Sequence, residues 1–285
     1  MRCILINNTL TQVLSMDILD PNNPIFKYKN AASTLEAQQS ARLNSYYLAQ
    51  AKQILENYQF IQHLSEQEKQ RLLVNVKIKK YYHNQIIYAQ NAQCEDINII
   101  VDGTLKLGWT MPNGKYHIQT FMPSGTLINI VPIMAEQQHI YDHISQGDTI
   151  LANISGRVFL DVLKTNAQAL YMVLKLICIR TQLNREQIFF ASTESLRVRL
   201  AQELIFLVDY HSYQTHDKIL LSLKINQENF AELLQTTRQS INRELSWFAE
   251  QGILEVKYNQ ISILDYHQLN EISKGNNLNT TTKFI

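Results

Sequence analysis

The ten residues TTRQSINREL, Thr236–Leu245, gather side chains that can pair with the edges of nucleic-acid bases. An arginine fork can bond O6 and N7 of guanine together, and a glutamine or asparagine amide can do the same for N6 and N7 of adenine. Arg238, Gln239, Asn242 and Arg243 offer these groups within two helical turns. Thr237 and Ser240 add hydroxyls which, with the free N–H groups of a first helical turn, can hold phosphate oxygens. At about 100° per residue, Ile241, Leu245 and Phe248 fall on one side of a helix, and Arg238, Gln239, Asn242, Arg243 and Ser246 on the other. Arg238 and Arg243 then project from the exposed side on successive turns, within reach of neighbouring base pairs. The same pattern also describes a plain solvated helix, so its surroundings have to decide.

Other chemistry is poorly served. No nucleophile–base pair, glycine-rich phosphate loop or cluster of carboxylates stands at motif spacing, and no catalytic residue is expected. Cys3, Cys94 and Cys178 are far apart, which argues against zinc, iron–sulfur or disulfide frameworks and suits a reducing cytoplasm. His83, His117, His139 and His143 are loosely spaced, and His139, Asp142 and His143 read as loop residues rather than metal ligands, so neither a metal nor a cofactor is expected. The formal net charge of +1, and nine Lys and Arg against eleven Asp and Glu over residues 192–285, carry no global sign of a polyanionic partner. A DNA partner must be argued from local placement, and a sensor or scaffold without DNA affinity stays open as the alternative.

The elements that must position Thr236–Leu245 are legible around it. Asn226 suits an N-cap for NQENFAELL, with Phe230, Leu233 and Leu234 inward; Gln235–Thr237 forms a turn, Thr237 caps the next helix, and Gly252 ends it in the left-handed conformation. ILEVKYNQISIL reads as a two-stranded wing, completing a winged helix-turn-helix. Upstream, in a helix from about 166 to 190, Leu170, Leu174, Ile177, Thr181, Asn184 and Ile188 recur at four-three spacing. That is the seam of a two-helix dimer contact, with Thr181 and Asn184 fixing its register. Met172, Leu176, Ile179 and Leu183 would face the domain before it. Between about 77 and 159, short β-rich runs alternate with VDG, PNG and PSG turns, which suggests a small barrel or sandwich; Asn113-Gly114 is the clearest hairpin signal. Residues 44–76 are helical in pattern, with Ser65 and Glu68 as a capping box.

The expectation is an α+β chain: a weakly ordered extension (1–45), a β-barrel with flanking helices (46–164), a dimerisation helix (165–191), a winged helix-turn-helix (192–270) and a polar tail (271–285). The N-terminus has neither the charge pattern of a signal peptide nor a spanning apolar run, so no membrane partner is expected.

This arrangement resembles the CRP/FNR superfamily of bacterial transcription regulators over roughly residues 55 to 268. The family's Ser-Arg-Glu/Gln-Thr/Ser-Val-x-Arg signature is matched by Thr237–Arg243, with threonine for serine, and Gln235 stands where the turn usually has glycine. NIIVDGTLKL, the PNG hairpin and the PSG before Thr126 match the family's jelly-roll barrel, and LRVRLAQEL its first DNA-binding-domain helix. The resemblance implies a homodimer on an inverted-repeat DNA site, with Arg238, Gln239 and Arg243 at base edges and RNA polymerase as a further partner. In the cyclic-nucleotide-binding branch a phosphate cassette supplies Gly-Glu and, about ten residues on, Arg-Ser; the matching positions here are Ile128, Asn129, His139 and Ile140. Each change removes something a cyclic phosphodiester needs: close backbone approach, the carboxylate for the ribose 2′-hydroxyl, a permanent cation and a hydroxyl. Lost charge-assisted bonds cost about 1.5–3 kcal/mol each, so no response to cyclic AMP or cyclic GMP is expected.

Overall fold

The computed structural model describes residues 42–74, 76–215, 217–257 and 260–275. Most of the expected extension and of the polar tail lie outside them. The chain divides into two compact units, Met1–Ala49 and Gln50–Ile285. Of the first, residues 42–49 are described and helical; everything below concerns the second.

After helical residues 50–56, α1 (Gln59–Gln62) and α2 (Glu66–Leu73) lead into the barrel, α2 being started by the full Ser65–Glu68 capping box. The strands are β1 (Lys77–Tyr81), β2 (Ile86–Tyr88), β3 (Asp96–Asp102), β4 (Thr104–Thr110), β5 (Tyr116–Pro123) and β6 (Leu127–Ile128). A short helix α3 (Ile130–Met134) follows, then β7 (Asp142–Ser145) and β8 (Thr149–Ser155). They form two four-stranded antiparallel sheets, ordered β1-β8-β3-β6 and β2-β7-β4-β5, facing each other as a sandwich-like barrel. The turn residues do what their types allow. Met111-Pro112-Asn113-Gly114 closes the β4–β5 hairpin through Gly114 N–H to the Met111 carbonyl (2.9 Å), with Gly114 at φ +81. Gly103, φ +86, joins β3 to β4 where a Cβ would collide with the Asp148 carbonyl.

Strand texture ends at Ser155 rather than near Phe159, because Phe159, Val162 and Leu163 share one buried helical face of α4 (Gly156–Thr165). Helices α3 and α4 pack on β3, which is why its run from Ile97 to Val101 is buried throughout instead of alternating. The long helix α5 (Ala167–Thr193) starts at Asn166, which caps Ala169 N–H and also donates to the His63 carbonyl (3.0 Å). The winged domain comprises α6 (Leu196–Tyr210), β9 (Ser212–Gln214), β10 (Ile219–Leu221), α7 (Gln227–Leu233), α8 (Arg238–Glu250), β11 (Leu254–Lys257), β12 (Gln260–Ile263) and α9 (Tyr266–Ser273). The expected two-stranded wing is half of a four-stranded sheet, β11-β12-β10-β9. Helix α9 runs past residue 271, where the sequence suggests a tail, because Leu269 and Ile272 join the domain's core. Among the described residues no single helix is long and apolar enough to cross a membrane.

Candidate nucleic-acid interface

Helix α7 begins in a reciprocal cap: Asn229 N–H donates to Asn226 Oδ1 (2.9 Å) and Asn226 N–H to Asn229 Oδ1 (3.4 Å). It ends with Thr236 N–H donating to the Ala231 carbonyl (3.0 Å) across Gln235, whose φ is +51. This closure is normally built on glycine, and an L residue held there costs about 1–2 kcal/mol. The next carbonyl, that of Glu232, meets His117 Nδ1 of β5 at 3.2 Å, so that nitrogen carries the proton and the barrel completes the helix end.

Helix α8 starts at Thr237, whose Oγ1 accepts from Ser240 N–H (3.1 Å) and lies 3.0 Å from Ser240 Oγ. It ends at Gly252, φ +71, with Ile253 N–H donating to the Phe248 carbonyl. Ile241, Leu245 and Phe248 are buried; Thr237, Arg238, Gln239, Asn242, Arg243 and Ser246 are exposed, and Ser240 is half-buried. All six residues singled out for DNA therefore lie along one helix, with Ser240 engaged in the cap. Arg243 is 75% exposed, with Nε 3.7 Å from Glu244 Oε1.

Two features escape the helical pattern. Glu244 is buried between Ile241 and Phe248, where Arg197 Nε donates to it (2.8 Å) while the Arg197 guanidinium stacks 3.7 Å over Trp247, tying α6 to α8. A charged residue inside an apolar stripe is the signal that could have flagged it. Gln227 reaches from α7 to α8: its Nε2 donates to Asn242 Oδ1 (2.8 Å) and its Oε1 accepts from Arg238 Nε (3.4 Å). Nothing in the periodicity announces a contact between helices.

The four cassette positions are only partly united. Asn129, at φ +67, donates to Asn98 Oδ1 (2.6 Å), and Asn98 Nδ2 donates to the Tyr88 hydroxyl (2.9 Å). His139 is 2% exposed and stacks on Tyr88 at 4.4 Å, with no partner for either ring nitrogen. Burial lowers its pKa, and pushes that of neighbouring His143 down to about 3, so both rings are neutral. Ile128 belongs to the barrel core, whereas Ile140 is 44% exposed and does not join the cluster. Arg180 of α5 approaches this end of the barrel, but its Nη1 bonds the Leu127 carbonyl (2.8 Å), and Tyr58 provides a second neutral partner. Among the described residues no group of three or more His, Cys, Asp or Glu is placed to hold a metal ion. His83 accepts from Gly147 N–H, Asp142 accepts from Gln90 N–H, and His143 faces the Tyr141 carbonyl.

Along α5, Leu170, Leu174, Thr181, Asn184 and Ile188 are exposed and Ile177 is half-buried. The inward face is Ala169, Val173, Leu176, Arg180 and Leu183, with Met172 half-buried. Ile179, expected inward, is 37% exposed. Three steps from Val173 lead to Leu176 and four more to Arg180, and Ile179 lies off that stripe.

Residues 78–166 match the family described as the cyclic nucleotide-binding domain, and residues 198–272 match the Crp-like helix-turn-helix domain. A CRP-like cAMP-activated global transcriptional regulator of Mycobacterium tuberculosis is 22% identical over 190 residues, 64% of this chain and 82% of that protein. Among solved structures, FixK2 of Bradyrhizobium japonicum superposes with a TM-score of 0.62 at 15% identity, covering 69% of this chain and 96% of that one. TTHB099, a CRP-family transcriptional regulator of Thermus thermophilus, gives 0.59 at 17% identity, covering 69% and 97%. With the two family models matched in order along the chain and the long helix α5 between them, the chain belongs to the CRP/FNR superfamily of transcription regulators.

Proposed function

We propose that the protein is a homodimer that reads an inverted-repeat DNA site with α8 and does so without responding to cyclic AMP or cyclic GMP. The observation that carries the DNA reading is the row of exposed donors and acceptors on α8 from Thr237 to Arg243, backed by a buried apolar side and a sheet wing. Dimerisation through α5 is supported by Leu174 and Ile188, which are 54% and 70% exposed in the single chain. Indifference to cyclic nucleotides is supported by the interior of the barrel. Asn129 is committed to Asn98, His139 is a buried neutral ring, and Ile140 points elsewhere. A cyclic phosphate would find no guanidinium or carboxylate at the cassette positions. Such a regulator works in the cytoplasm, and RNA polymerase is its further partner.

Selection of genomic fragments by the purified full chain, followed by gel shifts at fixed low salt, tests the reading. Submicromolar binding to an inverted repeat is expected; no fragment retained even at low salt would leave a sensor or scaffold that does not bind DNA. Titration calorimetry with millimolar cyclic AMP and cyclic GMP is expected to be silent, and micromolar binding that raises DNA affinity would overturn the second half of the proposal.

A further inference from the structure

The geometry assigns a specificity role to Gln227, a residue outside the recognition helix; the inference rests on α8 entering a major groove. Gln227 opens α7 and is half-buried. Its side-chain amide spans to α8, donating through Nε2 to Asn242 Oδ1 (2.8 Å) and accepting through Oε1 from Arg238 Nε (3.4 Å). Arg238 and Asn242 are four apart in sequence and so sit one above the other on the same face. A single side chain thus orients two of the residues that would meet bases.

The consequences follow from donor and acceptor counts. An arginine has five N–H donors, and with Nε turned to Gln227 the terminal Nη groups remain to meet guanine O6 and N7 end-on. Asparagine pairs with adenine by accepting from N6 while donating to N7. Here the Asn242 oxygen is engaged by Gln227, so its N–H groups are what it offers outward. Asn242 then favours acceptors, namely guanine O6 or N7, adenine N7 or thymine O4, and gives up the two-pronged adenine pair. Gln227 sharpens guanine at the Arg238 position and suppresses adenine at the Asn242 position without touching a base; it is a positioning residue.

Binding-site selection with the full-length chain, Gln227→Ala and Gln227→Glu at matched salt tests this. Freeing one long, ordered side chain is worth about 2–10-fold. Gln227→Ala is expected to lower guanine preference at the Arg238 position by that factor and to raise adenine at the Asn242 position. Gln227→Glu keeps the acceptor for Arg238 and so restores its guanine preference. It also turns the Asn242 N–H groups toward the new carboxylate, which leaves the oxygen facing the groove and moves that position toward the donors adenine N6 and cytosine N4. A merely structural Gln227 would weaken all sequences alike and would not split the two positions. Base preferences unchanged in Gln227→Ala, while Arg238→Ala flattens the site, overturn this inference alone. Preferences unchanged in Arg238→Ala overturn the DNA reading along with it. Thermal melts of both Gln227 variants are expected to match the parent, since the residue lies outside the core.

Discussion

Gln235 shows how a single residue can depart from its family's pattern and still keep the local structure. Its φ of +51 places it in the left-handed region, and the Thr236 to Ala231 hydrogen bond closes over it as it would over glycine. The strain of about 1–2 kcal/mol is partly offset by the lower chain entropy of a non-glycine residue in the unfolded state. Gln235→Gly is therefore expected to raise stability by up to about 1 kcal/mol, read as a higher midpoint in a thermal melt, with DNA preference unchanged. A lower midpoint would show that the turn is not strained. On α8 itself the roles separate by chemistry. Arg238→Ala and Arg243→Ala are each expected to cost about 1–3 kcal/mol per half-site and to flatten preference at one position. Thr237→Ala removes a cap and the hydroxyl proposed to meet a phosphate, and is expected to weaken all sequences alike, since neither contact carries base information. Selections at equal salt distinguish the two patterns. These residues were legible in the sequence because each acts through its own helix. Gln227 and the Arg197–Glu244 pair were not, because a contact between elements leaves no periodic trace along the chain.

At the scale of elements, the signals that survived are those with strict geometry. The Ser65–Glu68 and Asn226 caps, the Asn113-Gly114 turn, Gly252 and the buried stripe of α8 all appear where the pattern puts them. The short helix α3 and the start of α4 were not legible, since the first has five residues and the second begins at Gly156 directly after β8 ends at Ser155, with no loop between them. Strands β9 and β10 are three residues each, too short to alternate visibly. Helix α5 carries two faces. One is packed inward through Ala169, Val173 and Leu183, each buried, and fastened by Arg180 to the Leu127 carbonyl. The other holds exposed Leu170, Leu174 and Ile188, an apolar row whose burial in a second copy would stabilise a dimer by the hydrophobic effect. Glutamate at both Leu174 and Ile177 would place charge in that seam while leaving Ala169 and Val173 packed. Sedimentation is expected to show a dimer for the parent and a monomer of unchanged helix content for the variant; a parent that is monomeric at micromolar concentration would remove α5 as the dimer element.

At the scale of the molecule, the winged domain is docked on the barrel, and the dock is made partly of neutral histidines. Ile118 and Phe121 of β5 are buried in the same apolar cluster as Leu200, Phe230 and Ile241. Around them His117 bonds the Glu232 carbonyl, Gln146 Nε2 donates to the Lys224 carbonyl (3.0 Å), and Thr104 Oγ1 lies 3.3 Å from His211 Nδ1. This dock and the α5–α6 joint together set where α8 stands, and the proposed dimer, reading half-sites about 34–36 Å apart, would depend on that placement. Burial lowers the pKa of His117 from 6.5 and that of His211 to about 4. Glu232, beside His117, is itself raised by burial, and Lys106 acts on it in the opposite direction. The sign for the histidines follows from linkage. A histidine released to water binds its proton at a higher pH than one held in the dock, so the stabilisation is complete above about pH 6.5 and is lost as pH falls toward 4. The loss is at most about 1.4 kcal/mol per pH unit for each group. His211→Gln keeps a side chain able to donate and accept toward Thr104 but cannot gain a charge. Melting midpoints and DNA affinity measured from pH 7.5 to 5 at constant salt are expected to fall for the parent and to fall less steeply for His211→Gln. Because His143, deep in the barrel, titrates in both proteins, the difference between the two slopes isolates the dock. Parallel slopes would mean that the domains stay together without help from His211.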